Sequence, residues 1–263
     1  MAGFTAKDVQ RLRQETGAGM MDAKKALDNN DGDFEAAKQE LRNKGIAKAE
    51  ARAERENADG AVALAVDGTR AALVHLKCET DFSAKADAFV ALTQTLAGAV
   101  LAGGVDAVAQ HQDAIDDLRL TQKENIEVGT AVLIEAADGN LLDTYLHSQD
   151  GRGTNAVIVE ANGISQELAH EIALHIAFAK PAALSRDEID PDAAEKERAA
   201  ALEVTKAEGK PEAAWDKIVD GRLNKWYSDR VLLEQGMFGE KETVSQKLGG
   251  GSVVRFVQAY IGD

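Results

Sequence analysis

One order of elements, strand then turn then strand then helix, is written twice in this chain, and a repeat of that kind leaves few folds open. Ala61 to Val66 and Ala71 to Cys78 read as strands around Asp67-Gly68-Thr69, a hairpin signal, and a helical pattern follows. About 84 positions later the order returns as Leu141 to His147, the turn Asp150-Gly151-Arg152-Gly153, Ala156 to Glu160 and a helix over Gln166 to Phe178. Between the copies, Val105 to Leu118 reads as a helix, and Ile126 to Ala136 alternates like a strand with Val128, Val132 and Ile134 on one face. Hairpins alternating with helices predict the α+β class, with two related subdomains packed together.

Within the first copy, Cys78-Glu79-Thr80-Asp81-Phe82-Ser83-Ala84-Lys85 joins a strand ending in Leu73-Val74-His75-Leu76 to a helix carrying Phe89, Val90, Leu96, Ala97 and Val100. Thr80 or Asp81 is the expected cap of that helix. Phe82 then falls in the first turn, beside an acid that the helix dipole favours. A phenyl ring there either tucks under the helix as core or faces a partner. Aromatics make up only 5% of the chain, so an aromatic at such a place is more informative than usual.

The N-terminal 45 residues read as three short helices. Thr5-Ala6-Lys7-Asp8 is a capping-box pattern before Val9 and Leu12, and Gly17 stops the first helix. Asp22 is the expected cap of the second, with Lys24, Lys25, Ala26 and Leu27. Asp33 is the expected cap of the third, with Phe34, Ala37 and Leu41 on one face before Gly45. Met20 and Met21 stand together at the turn, where flexible, polarizable side chains suit a binding surface. Residues 46–57, with Lys48, Arg52 and Arg55 among Glu50, Glu54 and Glu56, read as a charged helical linker. Further on, Ala193 to Glu208 and Glu212 to Tyr227 are two helical segments joined at Gly209-Lys210-Pro211, with Leu202, Ile218, Leu223 and Trp226 available for a narrow seam. Val231 to Leu233 and Val253 to Tyr260 look strand-like, with Gly249-Gly250-Gly251 a turn.

Composition removes several classes of function. A formal net charge of −15 over 263 residues repels phosphate backbones, so direct nucleic-acid binding is not expected. No apolar run approaches the length of a membrane span, and no signal-peptide core opens the chain, which predicts a soluble, cytoplasmic protein with no membrane partner. One cysteine excludes an internal disulfide framework. His75 lies three positions from Cys78, and residues three apart on a strand face opposite ways, which argues against a catalytic pair. Gly151-x-Gly153-x-x-Ala156 leads into Val157-Ile158-Val159 and no helix, and Gly17-x-Gly19 lacks a preceding strand; neither is a dinucleotide site. No phosphate-loop motif is present, and His170 and His175, five apart on a helix, share no ligand face. No cofactor is expected.

Two stretches carry a resemblance. His75-Leu76-Lys77-Cys78-Glu79-Thr80-Asp81-Phe82-Ser83-Ala84-Lys85 resembles the central signature of the translation elongation factor Ts family, guanine-nucleotide exchange factors for elongation factor Tu. Leu12-Arg13-Gln14-Glu15-Thr16-Gly17-Ala18-Gly19-Met20-Met21-Asp22-Ala23-Lys24-Lys25-Ala26-Leu27 is similar to that family's N-terminal signature. The family usually has an acid at the place of His75, Val at that of Ser83, and often Ile-Gly where Gln122-Lys123 precede Glu124-Asn125. The resemblance implies a bundle over 1–45 similar to ubiquitin-associated domains, a linker over 46–57, and core subdomains over 58–140 and 141–185, the latter completed by 229–263. It also implies a coiled-coil hairpin inserted over 186–228. It further implies that Thr80, Asp81, Phe82 and Ser83 dislodge Mg²⁺ from the partner, and that Met20, Met21, Lys24, Tyr145, His147, Met237 and Phe238 bind it. The partner would be met both GDP-bound and nucleotide-free, with a 2:2 assembly left open, and this chain would perform no covalent chemistry. Some relatives continue with a further helix that contacts the partner; that contact is expected to be absent here. The alternatives are a ubiquitin-type adaptor using the N-terminal bundle alone, which leaves the Thr-Asp-Phe tip unexplained, and an enzyme using Cys78.

Overall fold

Thr5 opens the first helix as the sequence predicts: the Asp8 amide donates to its Oγ1 at 3.3 Å, and the Thr5 amide donates to Asp8 Oδ2 at 2.7 Å. The computed structural model describes residues 3–50 and 52–262, side chains excepted at 46–50, so the side chains of Lys48 and Glu50 in the expected linker lie outside what is described. Helix α1 (Ala6–Thr16) ends at Gly17 with φ 65°, the left-handed conformation that glycine adopts without strain. Helix α2 (Met20–Asn29) starts two residues before the expected Asp22 cap, with Gly19 in the cap position and Asp22 in the first turn, where its charge still favours the helix dipole. Helix α3 (Phe34–Glu50) takes its cap from Asp33, whose Oδ1 accepts from the Ala36 amide at 3.0 Å. Val9, Leu12, Ala23, Ala26, Leu27, Ala37 and Leu41 form the core of these three helices.

Gly45 does not stop α3, contrary to expectation. A Cβ built there would fall on Leu120 Cδ2, so this glycine is a notch that lets another helix approach.

Contacts divide the chain into two units, one of residues 1–134, 146–156 and 259–263, the other of 135–145 and 157–258. In the first, strands β1 (Asp59–Asp67) and β2 (Arg70–Cys78) pair antiparallel from Asp59↔Cys78 to Asp67↔Arg70, leaving Gly68-Thr69 as the turn. A single helix was expected after Thr80. Instead α4 (Asp81–Ala84) is separated from α5 (Asp87–Gly103) by Ala86, whose ψ of 135° breaks the helical path. The segment Val105–His111 is a 3-10 helix and only Gln112–Gln122 (α6) is α-helical, where the sequence suggests one helix from Val105; Gly104, at φ 81°, turns the chain before it. Strand β3 (Glu127–Glu135) lies beside β2. Ala72, Val74, Leu76 and Cys78, alternate residues of β2, pack with Phe89, Leu96, Ala97 and Val100 of α5 and Ile115 and Leu118 of α6.

In the second unit the middle of the core is β5 (Arg152–Asn162), flanked by β4 (Leu141–Gln149) and β6 (Ser252–Tyr260). Asp150 and Gly151 join β4 to β5 with positive φ at both residues, the geometry a tight hairpin turn demands. At its first-unit end, β5 meets β1 antiparallel at Val62↔Gly153. Helix α7 (Gln166–Ala179), capped by Ser165, packs Ile172, Ala173 and Ile176 on Val157 and Val159. Helices α8 (Pro191–Ala207) and α9 (Trp215–Arg230) pack on each other, with Arg198 paired to Asp220 and Arg222 to Glu208. Helix α10 (Val244–Leu248) precedes β6.

Val231 to Leu233 is not the expected strand. Val231 makes a lone parallel bridge to Ala183, and Leu232–Glu234 is a 3-10 turn. The whole is a mixture of helices and antiparallel sheet, with strand-turn-strand-helix occurring twice.

Candidate functional site

Thr80 bends the chain out of β2 and caps α4, its Oγ1 accepting from the Ser83 amide at 3.4 Å. A four-residue helix has too few internal hydrogen bonds to hold itself. What fixes it is Glu124. Its Oε2 accepts from the amides of Glu79 and Thr80 at 3.0 and 3.1 Å, and its Oε1 accepts from Thr80 Oγ1 at 2.6 Å. Glu79 answers by accepting from the Asn125 amide at 2.7 Å, and Asn125 Nδ2 donates to the carbonyls of Ala53 and Arg55. Lys85 closes the other end, reaching Asp81 Oδ2 at 2.8 Å and Asp150 Oδ2 at 3.2 Å. The Lys85 hydrogen bond holds the Asp81 carboxyl below its ordinary range, and Asp81 first, then Asp150, raises the Lys85 ammonium.

On this clamped turn Ser83 and Ala84 face inward, while Phe82 is 86% exposed, the most exposed of the large apolar side chains among the described residues. Full burial of a phenylalanine is worth about 1.5–3 kcal/mol, so the fold leaves most of that unrealised on a rigid mount. The plain-core reading of Phe82 is thereby excluded. Cys78, directly upstream, is fully buried, and its Sγ–H donates to the Thr80 carbonyl at 3.2 Å. Burial, with help from the charges of Glu124 and Asp59, pushes its thiol up to about 12, where almost no thiolate exists at neutral pH.

The other expected contact residues fall elsewhere. Met20, Met21 and Lys24 occupy the exposed side of α2, with Met21 75% exposed. Tyr145 and His147 lie two apart on β4, hence on one side of the strand; Tyr145 is half-buried edge-on to His170, and His147 is exposed. Met237 was expected as a contact together with Phe238, but it is fully buried in the second unit's core, where a flexible thioether fills space among Val157, Ile172 and Leu232. Phe238 is half-exposed and left-handed at φ 51°. Its amide donates to His175 Nδ1 at 3.2 Å and its ring stands edge-on to that imidazole. With Nδ1 accepting, His175 Nε2–H donates to Gln235 Oε1 at 3.0 Å.

The family model described as Elongation factor TS matches residues 79–263, which begins one residue before the Thr80 cap. Curated relatives match almost the entire chain. The Elongation factor Ts of Mycobacterium ulcerans is 42% identical over 277 residues, covering 100% of this chain and 99% of the relative. That of Saccharopolyspora erythraea is 41% identical over 274 residues, with 100% and 99% covered, and that of Kineococcus radiotolerans 38% over 266 residues, with 97% and 96% covered. The chain belongs to the elongation factor Ts family. Membership assigns it guanine-nucleotide exchange on elongation factor Tu in translation elongation, a non-covalent activity, and does not favour the adaptor alternative.

In this chain the sequence locates the tip but not its clamp. Glu124 is 44 residues from Thr80, and its only signal was an acid-amide pair, Glu124-Asn125, just before a strand. Lys123 is left-handed at φ 60° and ends α6. Phe178, at the end of α7, is 76% exposed, off the face that buries Ile172, Ala173 and Ile176. No helix among the described residues is long and apolar enough to cross a membrane.

Proposed function

We propose that exchange by this factor proceeds through insertion of Phe82 into the G domain of elongation factor Tu, with Asp81 displacing the groups that hold Mg²⁺ there. The observation that carries this reading is a phenyl ring 86% exposed on a turn pinned by Glu124. Losing the ion would uncover the charge of the GDP diphosphate, which the metal had been neutralising, and the nucleotide would leave faster. The factor meets the partner in its GDP-bound form and holds it most tightly when nucleotide-free, and by linkage GDP weakens the grip in return. Helices α1 to α3, a bundle similar to ubiquitin-associated domains over 1–45, dock through Met20, Met21 and Lys24. Tyr145, His147 and Phe238 extend the contact, and α8 and α9 form a coiled-coil arm over 186–228. The complex assembles in the cytoplasm, and a 2:2 stoichiometry is compatible with this reading.

Asp81→Asn tests the metal step. Release of a fluorescent GDP analogue from elongation factor Tu is expected to be slower with the variant than with the native factor in millimolar Mg²⁺, and the difference should vanish when the ion is chelated. An equal deficit with and without Mg²⁺ would mean that Asp81 acts on something other than the metal.

A further inference from the structure

The carboxylate that the exchange reading sends toward Mg²⁺ is not free in the isolated factor. Asp81 Oδ2 lies 2.8 Å from Lys85 Nζ, and the same ammonium lies 3.2 Å from Asp150 Oδ2. One cation is thus shared between a carboxylate on the Phe82 turn and a carboxylate on the β4–β5 turn. Both mounts are fixed. The Lys85 amide donates to the Asp81 carbonyl at 3.0 Å and ends α4, so the two side chains meet across one helical turn. Asp150 stands in a tight hairpin turn at φ 54°, and two residues on, the buried Arg152 is tied to the Asp59 carboxylate and the Gly60 carbonyl of β1. All three charged groups of the trio remain partly open to water, so neither contact is strong and the ammonium can shift between them at little cost.

We infer that Lys85 and Asp150 are positioning residues for exchange: in the free factor Lys85 holds Asp81 and offsets its charge, and on docking the ammonium passes to Asp150, leaving the Asp81 carboxylate to face the partner's metal site. The inference rests on the role given to Asp81 above. A carboxylate already met by an ammonium at 2.8 Å attracts a second cation weakly, so Asp81 must shed Lys85 before it can act on Mg²⁺ or on the groups around the ion. Shedding it with no other acceptor in reach would strand an ammonium beside the interface. Asp150 removes that penalty, because it already stands within ion-pair distance, and Lys85 need only lengthen one contact and shorten the other. Phe82 keeps its mount during the handover, since Glu124 grips the turn at Thr80 independently of Lys85.

Asp150→Asn separates the handover from the reading it rests on. Asparagine suits the left-handed turn and keeps an acceptor oxygen while removing the charge. Release of a fluorescent GDP analogue from elongation factor Tu, at saturating factor in millimolar Mg²⁺, should slow by about two- to fivefold, the range that an exposed ion pair supports. With the ion chelated, the variant should match the native factor, which a loss of fold or of docking would not produce. In a Lys85→Gln background no ammonium is left to receive, and adding Asp150→Asn should change nothing. A native rate for Asp150→Asn in Mg²⁺, an equal deficit with and without the ion, or the same deficit in the Lys85→Gln background overturns the handover even where Asp81→Asn is slow. If Asp81→Asn is itself silent, the reading of Asp81 fails and the handover falls with it.

Discussion

Truncating Phe82 to alanine removes a ring that the fold scarcely uses. At 86% exposure about a seventh of its surface is covered, and against about 1.5–3 kcal/mol for full burial the loss to the factor's own stability is about 0.2–0.4 kcal/mol. The remaining six-sevenths, about 1.3–2.6 kcal/mol, is available only in the complex. If that energy is realised as GDP departs, each 1.36 kcal/mol is a factor of ten, and the truncation slows release by about 10- to 80-fold. Stopped-flow release of a fluorescent GDP analogue from elongation factor Tu, at saturating factor, reads the effect directly, and thermal unfolding of the variant alone supplies the control. Unchanged release at saturation, with the fold intact, would refute the wedge. A several-degree fall in Tm would refute the premise that the ring is idle in the isolated chain.

Three further outcomes follow from the geometry. Glu124→Ala strips the acceptor from two amides and a hydroxyl and should cost about 1–3 kcal/mol in denaturant unfolding, with faster hydrogen exchange at Glu79 and Thr80 and slower GDP release although Phe82 is untouched; unaltered exchange at those amides would remove Glu124 as the clamp. Cys78, with its thiol pushed to about 12, should resist alkylation at pH 8 in the folded chain and react only on unfolding, so rapid native labelling would contradict its burial. Burial lowers the His175 pKa, outweighing its hydrogen bond to Gln235; Lys225, Asp229, Glu234 and Glu240 line the adjoining hollow. A depressed folded pKa means stability that is present above the ordinary histidine range near 6.5 and lost as pH falls through the folded value, so the native chain should lose more Tm on acidification than His175→Gln, and parallel curves would contradict the assignment.

What the sequence disclosed was what local rules govern. The Thr5 box, the Asp67-Gly68 and Asp150-Gly151 turns and the alternating face of β2 depend on neighbours a few residues away, and each is found where spacing puts it. Gly45 was misread because a glycine at a helix end and a glycine under another helix look alike until Leu120 is placed. Val231 and Leu232 have strand-like side chains, yet only Val231 finds a bridging partner, Ala183, before the chain turns into 3-10 geometry at Leu232. At the site, the exposure of Phe82 was expected from resemblance alone, since a first-turn aromatic is equally compatible with core. Glu124 left only the acid-amide pair Glu124-Asn125 as a signal, because a carboxylate's partners 44 residues away leave no periodic trace. Met237 and Phe238 are adjacent and both apolar, and only the left-handed turn at Phe238 decides which goes inside.

The interruption at Ala86 has a consequence for how such a molecule changes over time. Because α4 turns Ser83 and Ala84 into the interior that Phe89 and Leu96 of α5 also fill, and leaves Asp81 and Phe82 outside it, that outer pair forms a head the core does not use. Substitutions in that head can alter partner fit while the scaffold below keeps its packing, so recognition is open to selection at little risk to folding.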